Sequence, residues 1–294
     1  MKNSILVVLV SIFMFYSCSE DSYSDDNTDV IDPNPTTPIS GDGITLKLEE
    51  NATFGSIITD ADGMSLYFFS KDTDGTSACN GGCASAWPVF YTQEVKTVAG
   101  LEEADFDVIT REYGTKQNTY KGWPLYYYVG DTAAGDTTGD GQGNNWYIAK
   151  PDYSIMYAQA QLVGKDTAGN LINLKSDYTE GIGDTFYLTS GKGRTIYIFS
   201  NDTKNTNTFT DSEFAKNGAW PIIEFDVKKV PSIMDINDFG VIDVFGRTQV
   251  TYKGYPLYYF GGDVNRGDNF GVNAGGAGLW PIINTDTPPA PEKL

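Results

Sequence analysis

Four short stretches of this chain are apolar at every position: residues 66–69 (LYFF), 125–128 (LYYY), 196–199 (IYIF) and 257–260 (LYYF). Side chains alternate across a strand, so Tyr67 and Phe69 share one face while Leu66 and Phe68 take the other. A strand that is apolar on both faces is covered on both. Each stretch follows an x-Gly pair (Asp62-Gly63, Lys121-Gly122, Lys192-Gly193, Lys253-Gly254), which suits a tight hairpin turn because glycine reaches positive φ freely. Strand-like segments such as SIITD and QNTYK precede those turns. Trp87-Pro88, Trp220-Pro221 and Trp280-Pro281 are expected to begin or edge a further strand, where proline is tolerated. No period of 3.6 runs long enough for a major helix, and only 101–105 and 211–216 suit short helical turns.

The four stretches belong to one motif, Gly-x-x-[Leu/Ile]-Tyr-x-[Phe/Tyr]-x-x-Asp, starting at Gly63, Gly122, Gly193 and Gly254. A tryptophan follows each motif tyrosine: Trp87 and Trp146 come 20 residues after Tyr67 and Tyr126, Trp220 comes 23 after Tyr197, and Trp280 comes 22 after Tyr258. Residues 46–72 resemble 174–202, and 105–131 resemble 238–263. The pattern predicts an all-β class with two tandem repeats of about 120–130 residues, each made of two hairpin-containing quarters. Stacked sheets or a small propeller-like arrangement would cover both strand faces. The expected boundaries are a signal peptide over 1–17, a tether over 18–43, repeats over 44–165 and 166–287, and a tail over 288–294.

Composition narrows the function. A hydrophobic content of 40% with 14% aromatic residues is ample for a packed body. The net charge of −19 repels phosphate backbones and argues against nucleic acid as a partner; it suits solubility outside the cell, with cation affinity as the sharper reading. Histidine is absent, which removes Ser-His-Asp and Cys-His nucleophiles, His-ligated zinc and haem on a proximal His.

Lys2 and the apolar run 5–16 read as an export signal. As a helix, twelve residues would rise only about 18 Å, short of a membrane span. Ser17-Cys18 closes the run like a bacterial lipoprotein cleavage site, making Cys18 the expected lipidation residue and the lipid anchor the expected membrane contact. The polar, acidic, Pro-containing stretch to residue 43 cannot bury enough to order itself. Its early acids, Glu20, Asp21, Asp25 and Asp26, resemble surface-export signals of Bacteroidetes lipoproteins, which points to the outer face of the outer membrane.

The four motif copies, Cys79-x-x-x-Cys83 before Trp87-Pro88, and the Gly-x-x-Gln-x-Thr-Tyr-Lys-Gly-x-Pro-Leu-Tyr blocks at Gly114 and Gly246 together resemble the bacterial lipoprotein repeat called "secreted repeat of unknown function". The resemblance covers roughly residues 44–287 and implies a secreted or lipid-anchored protein; it assigns no residue a catalytic role. The second repeat lacks the cysteine pair.

Four sets of residues are candidate sites. Cys79 and Cys83, with Asn80-Gly81-Gly82 between them, read as a structural disulfide; a redox couple or half a metal site is the alternative. Asp72, Asp131, Asp202 and Asp263, which end the motif strands opened by Tyr67, Tyr126, Tyr197 and Tyr258, read as turn braces, against paired-carboxylate or cation chemistry. Asp136, Thr138, Asp140, Gln142 and Asn144 have the alternating oxygens of a calcium loop, although Tyr147 stands where its bidentate acid belongs. Tyr120, Trp123, Tyr252 and Tyr255 flank the hairpin glycines and are the candidates for an exposed sugar-stacking face. The expected function is a surface-anchored binding or structural module for an extracellular protein or glycan. An envelope redox protein using Cys79 and Cys83 is the alternative, and a carboxylate-based hydrolase the third.

Overall fold

The computed structural model describes Gly41 and residues 43–293. The expected signal peptide, Cys18 and nearly all of the tether lie outside the described residues. The described residues all fall within one compact unit.

The fold is all-β, built from small antiparallel sheets stacked on one another. Its first half runs β1 (Leu46–Asn51), β2 (Gly55–Asp60), β3 (Tyr67–Phe69), β4 (Phe106–Thr110), β5 (Lys116–Tyr120), β6 (Trp123–Pro124) and β7 (Trp146–Ile148). The second half runs β8 (Ile155–Lys165), β9 (Leu171–Leu174), β10 (Asp184–Ser190), β11 (Tyr197–Ile198), β12 (Phe239–Val244), β13 (Arg247–Tyr252) and β14 (Tyr255–Tyr258). The x-Gly turns behave as expected at β5–β6 and β13–β14. There Lys121-Gly122 and Lys253-Gly254 both take positive φ, the backbone of a primed hairpin turn.

Register identifies the equivalent strands. Leu46 faces Asp60 across β1–β2, and Ile155 faces Ser190 across β8–β10. Asp60 and Ser190 head matching turns, each donating its N–H to the carbonyl four residues on. The counterpart of β1 is therefore β8. Leu174, which the sequence aligns with Leu46, is instead the last residue of β9, an added strand that pairs with the far end of β8, and the stretch it begins runs into a turn. A boundary at residue 165 thus falls at the end of a strand that pairs only with β9 and β10. The two stretches are confusable because LKLE and LKSD both open on Leu-Lys, while register depends on a distant partner.

At the centre of each half, two motif strands meet antiparallel. The Tyr67 and Tyr126 backbones exchange N–H···O bonds of 2.8 and 3.1 Å, and Tyr197 faces Tyr258 where β11 pairs with β14. Outer strands complete four-stranded patches, in the order Ile148, Tyr67, Tyr126, Val89 in one half and Ile282, Tyr197, Tyr258, Ile222 in the other. The residues after Trp-Pro at 87, 220 and 280 are these outer partners. Both faces of each patch are buried, as the strand parity predicts. Leu66, Phe68 and Leu125 enter one apolar cluster, while Tyr67, Phe69 and Tyr126 enter another. Ile196, Ile198 and Leu257 are likewise separated from Tyr197 and Tyr258.

The halves interlock. Tyr147 packs into the second half's core with Ile155, Tyr157 and Leu188, whereas Tyr153 and Met156 pack into the first. Trp123 Nε1 donates to the Gly191 carbonyl at 2.9 Å. Arg266 reaches from the second half to the Lys121 and Lys192 carbonyls at 3.0 and 2.7 Å, with its guanidinium 4.4 Å from the Trp123 ring centre. Burial pushes the Arg266 pKa down to about 10.

Candidate functional site

The motif tyrosines and aspartates are exchanged between quarters. Tyr67 donates to Asp131 Oδ2 and Tyr126 to Asp72 Oδ2, both at 2.6 Å. In the second half Tyr197 donates to Asp263 Oδ2 at 2.6 Å and Tyr258 to Asp202 Oδ2 at 2.7 Å. The other oxygen of each carboxylate holds the start of the next loop. Asp72 Oδ1 accepts from Ala78 N, Asp131 Oδ1 from Thr138 N, Asp202 Oδ1 from Thr208 N and Asp263 Oδ1 from Phe270 N. Each aspartate thus braces both its own loop and the partner quarter. Burial pushes Asp72 and Asp263 up to about 7 and raises Asp202, with the tyrosine and backbone hydrogen bonds opposing the shift. Burial likewise raises all four tyrosines, and the carboxylates beside them raise them further.

The tryptophans close the same exchange. Trp87 and Trp146 stack face to face at 3.8 Å, and Trp220 and Trp280 at 3.6 Å. Each tryptophan meets its own quarter's motif tyrosine edge-on and the other quarter's second aromatic in a stack or a tilt. Phe69 lies on Trp146, Tyr128 on Trp87, Phe199 on Trp280 and Phe260 on Trp220. Gly139 and Gly271 lie against Tyr67 and Tyr197 so closely that a Cβ would come within 2.8 Å of the ring.

Cys79 and Cys83 form a disulfide, with Cα atoms 5.2 Å apart. Cys79 is fully buried against this ring stack, at the seventh residue after Asp72. The seventh residue after Asp202 is Phe209, which packs on Trp280 and Tyr258. Trp87 N donates to the Cys83 carbonyl, and Trp220 N to that of Lys216. Lys216 is therefore the counterpart of Cys83, and its ammonium lies 4.5 Å over the Phe209 ring. One half closes this loop covalently, and the other does so with a cation–π contact. The wider Phe209–Lys216 spacing accounts for the 23-residue interval between Tyr197 and Trp220, against 20 between Tyr67 and Trp87.

The oxygens of the calcium-like loop have separate partners. Asp136 Oδ2 accepts from Thr132 N and Ala133 N, Asp140 Oδ1 from Ile148 N, Thr138 Oγ1 bonds to Asp131, and Gln142 Nε2 donates to Thr138 O. Asp268 repeats the Asp136 arrangement on Val264 N and Asn265 N. Among the described residues no three His, Cys, Asp or Glu side chains converge to hold a metal ion.

The model of the family described as "secreted repeat of unknown function" matches residues 51–91, 107–150 and 241–284. The chain carries this family's secreted repeat in three stretches. The matched unit is a quarter, from an early strand through the motif to the tryptophan. The quarter around Tyr197 falls outside the three matches yet makes the same contacts. No curated protein and no solved structure matches the chain. No helix among the described residues is long and apolar enough to cross a membrane.

The candidates for an exposed sugar-stacking face are not exposed, and their aromatics belong to the core, the other reading of strand aromatics. Tyr120, Trp123 and Tyr252 are at most 2% exposed, and Tyr255 is half-buried. Their turns fold inward: Lys121 Nζ donates to the Pro151 carbonyl and Lys253 Nζ to that of Thr285, so linker segments cover the rings. Among the described residues, the exposed aromatics are Tyr113 and Phe245, at the tips of the β4–β5 and β12–β13 hairpins. Two clefts open where the halves meet. One, of about 680 Å³, is lined by Lys121, Tyr153, Lys192, Asp226 and Tyr259. The other, of about 650 Å³, has Lys150, Lys228 and Lys229 on its walls. Sequence reasoning missed these lysines, because they carry no motif and two of them lie in irregular connections.

Proposed function

We propose that this secreted-repeat protein is a surface-anchored lipoprotein whose β body serves as a rigid binding or structural module for an extracellular protein or glycan. The observation that carries this reading is the complete use of the motif side chains inside the fold. All four tyrosine–aspartate pairs are buried and mutually satisfied, and the tryptophans are stacked on one another. A carboxylate hydrolase needs two acids facing each other across an open cleft, about 5–10 Å apart. Here each motif acid is tied to a tyrosine and a loop N–H instead. A redox role for Cys79 and Cys83 finds less support, because Phe209 and Lys216 fill the same place in the second half without sulfur.

Anchoring rests on the export signal ending at Ser17-Cys18 and on the acidic tether that follows. Metabolic labelling with a clickable palmitate tests it. The wild-type chain is expected to take up label and remain with the outer membrane, and Cys18→Ala is expected to lose both. Label that persists in Cys18→Ala would overturn the anchor. Protease treatment of intact cells tests which face the body occupies, with degradation expected before lysis.

A further inference from the structure

We propose that the crevice between the two halves binds a small organic anion whose oxyanion (carboxylate, sulfate or phosphate) is held by Lys150, Lys228 and Lys229. This names a ligand class for the binding-module reading and rests on it.

The argument begins from charge. The chain carries 39 acidic residues against 20 basic ones, yet three lysines line one crevice of about 650 Å³. Thr53 and Phe54, from the β1–β2 turn, form one wall, and residues 228–236 of the second half form the other. Lys150 lies in the connection between the halves. The crevice therefore exists once per chain and needs both halves, unlike every feature of the motif.

Lys150 is the decisive residue. It is 7% exposed, and among the described residues it has no hydrogen-bond acceptor and no ion-pair partner. The other lysines at the junctions, Lys121 and Lys253, spend their ammonium groups on backbone carbonyls. Lys150 instead lies 5.3 Å from the Phe54 ring centre and 5.5 Å from that of Tyr153. Such faces attract a cation but leave its N–H donors without acceptors. Burial lowers its pKa and Lys229 lowers it further, while Asp140 and Asp152 act in the opposite direction. A cation at a crevice wall without a protein acceptor gains a charge-assisted partner when an oxyanion binds beside it.

The remaining wall fits a small ligand. Asp235 is the carboxylate lining the crevice, and its Oδ1 is already engaged by Asn237 N and Nδ2. Thr53 and Ser232 supply hydroxyl groups, and Pro231, Ile233 and Ile236 supply apolar surface. The volume falls within the range of small-molecule sites. A long polyanion would feel the whole negative surface, whereas a single anionic group feels chiefly its nearest charges.

Isothermal titration of the mature protein with glucuronate, benzoate, inorganic sulfate and inorganic phosphate tests this, with glucose and benzyl alcohol as neutral controls. At least one anion is expected to bind one-to-one, and the neutral analogues are expected to give no heat. The anion that binds identifies the head group. Lys150→Met, which keeps the stem and removes the charge, is expected to weaken binding at least tenfold while the melting temperature holds or rises. Lys229→Gln, at an exposed position, is expected to weaken it less and serves where Lys150→Met does not fold. If none of the four anions binds, or if one binds equally to wild type and to the lysine variants, the proposal is overturned. Palmitate labelling at Cys18 is independent of this result, so an empty crevice on an anchored protein would refute only the crevice.

Discussion

Tyr197 illustrates what one residue does in this fold. Its ring meets Trp220 edge-on, its hydroxyl donates to Asp263, and it accepts from Gly271 N. Tyr197→Phe leaves the Asp263 oxygen and the Gly271 N–H without that partner. Its cost is expected near 3 kcal/mol, because stranding a buried group exceeds the net worth of the bond itself. Urea unfolding of the variant measures it. The same aspartates set a pH dependence. Asp72 and Asp263 have folded pKa values of about 7, above the 3.8 of the free group, so between those values the folded chain binds more protons than the unfolded one. Stability from these two groups is therefore expected to fall as pH rises from about 4 to about 7 and to level off above. Melting curves across that window test the sign, and Asp72→Asn with Asp263→Asn is expected to flatten the slope.

At the scale of the element, the two halves close one loop by different chemistry. Replacing Cys79 and Cys83 by alanine is expected to cost about 2 kcal/mol, the chain-entropy value for so short a loop. Phe209→Ala is expected to cost about 3–5 kcal/mol, because it removes a ring packed on Trp280 and Tyr258. Denaturant midpoints of the two variants compare these directly. Much of this level was legible beforehand: two-sided burial at Leu66–Tyr67–Phe68, positive φ at Gly122 and Gly254, the short disulfide, and aspartates at strand ends. The exchange of partners was not. Tyr67 meets Asp131 rather than Asp72, and no local pattern distinguishes an acid five residues away from one 64 away. Trp123 departs from its local pattern for a related reason: a ring beside a hairpin glycine reads as a tip, while the Gly191 carbonyl that covers it lies 68 residues on. Lys150 was invisible because burial without an acceptor is a property of three dimensions.

For the molecule as a whole, the consequence is that the halves are not separable parts. Tyr147 belongs to the second core, Met156 to the first, and Arg266 is lodged against Gly122 and Gly193 from both. Heat is expected to unfold the body in one transition, with calorimetric and van't Hoff enthalpies agreeing. Residues 44–153 expressed alone are expected to remain unfolded or to aggregate, since Tyr147 and Trp123 would lose their cover. A sharp, dispersed NMR spectrum from that fragment would show that the interlock is dispensable.

The exchange of tyrosines and aspartates also imposes a rule of counting. A quarter by itself has a donor hydroxyl with no acid to receive it, an acid with no hydroxyl, and one tryptophan with no mate. Two quarters settle all three debts at once, and a third would reopen them. Folded members of this family should accordingly contain the motif in even numbers. A chain with an odd number should find its missing quarter in a second chain and exist as a dimer.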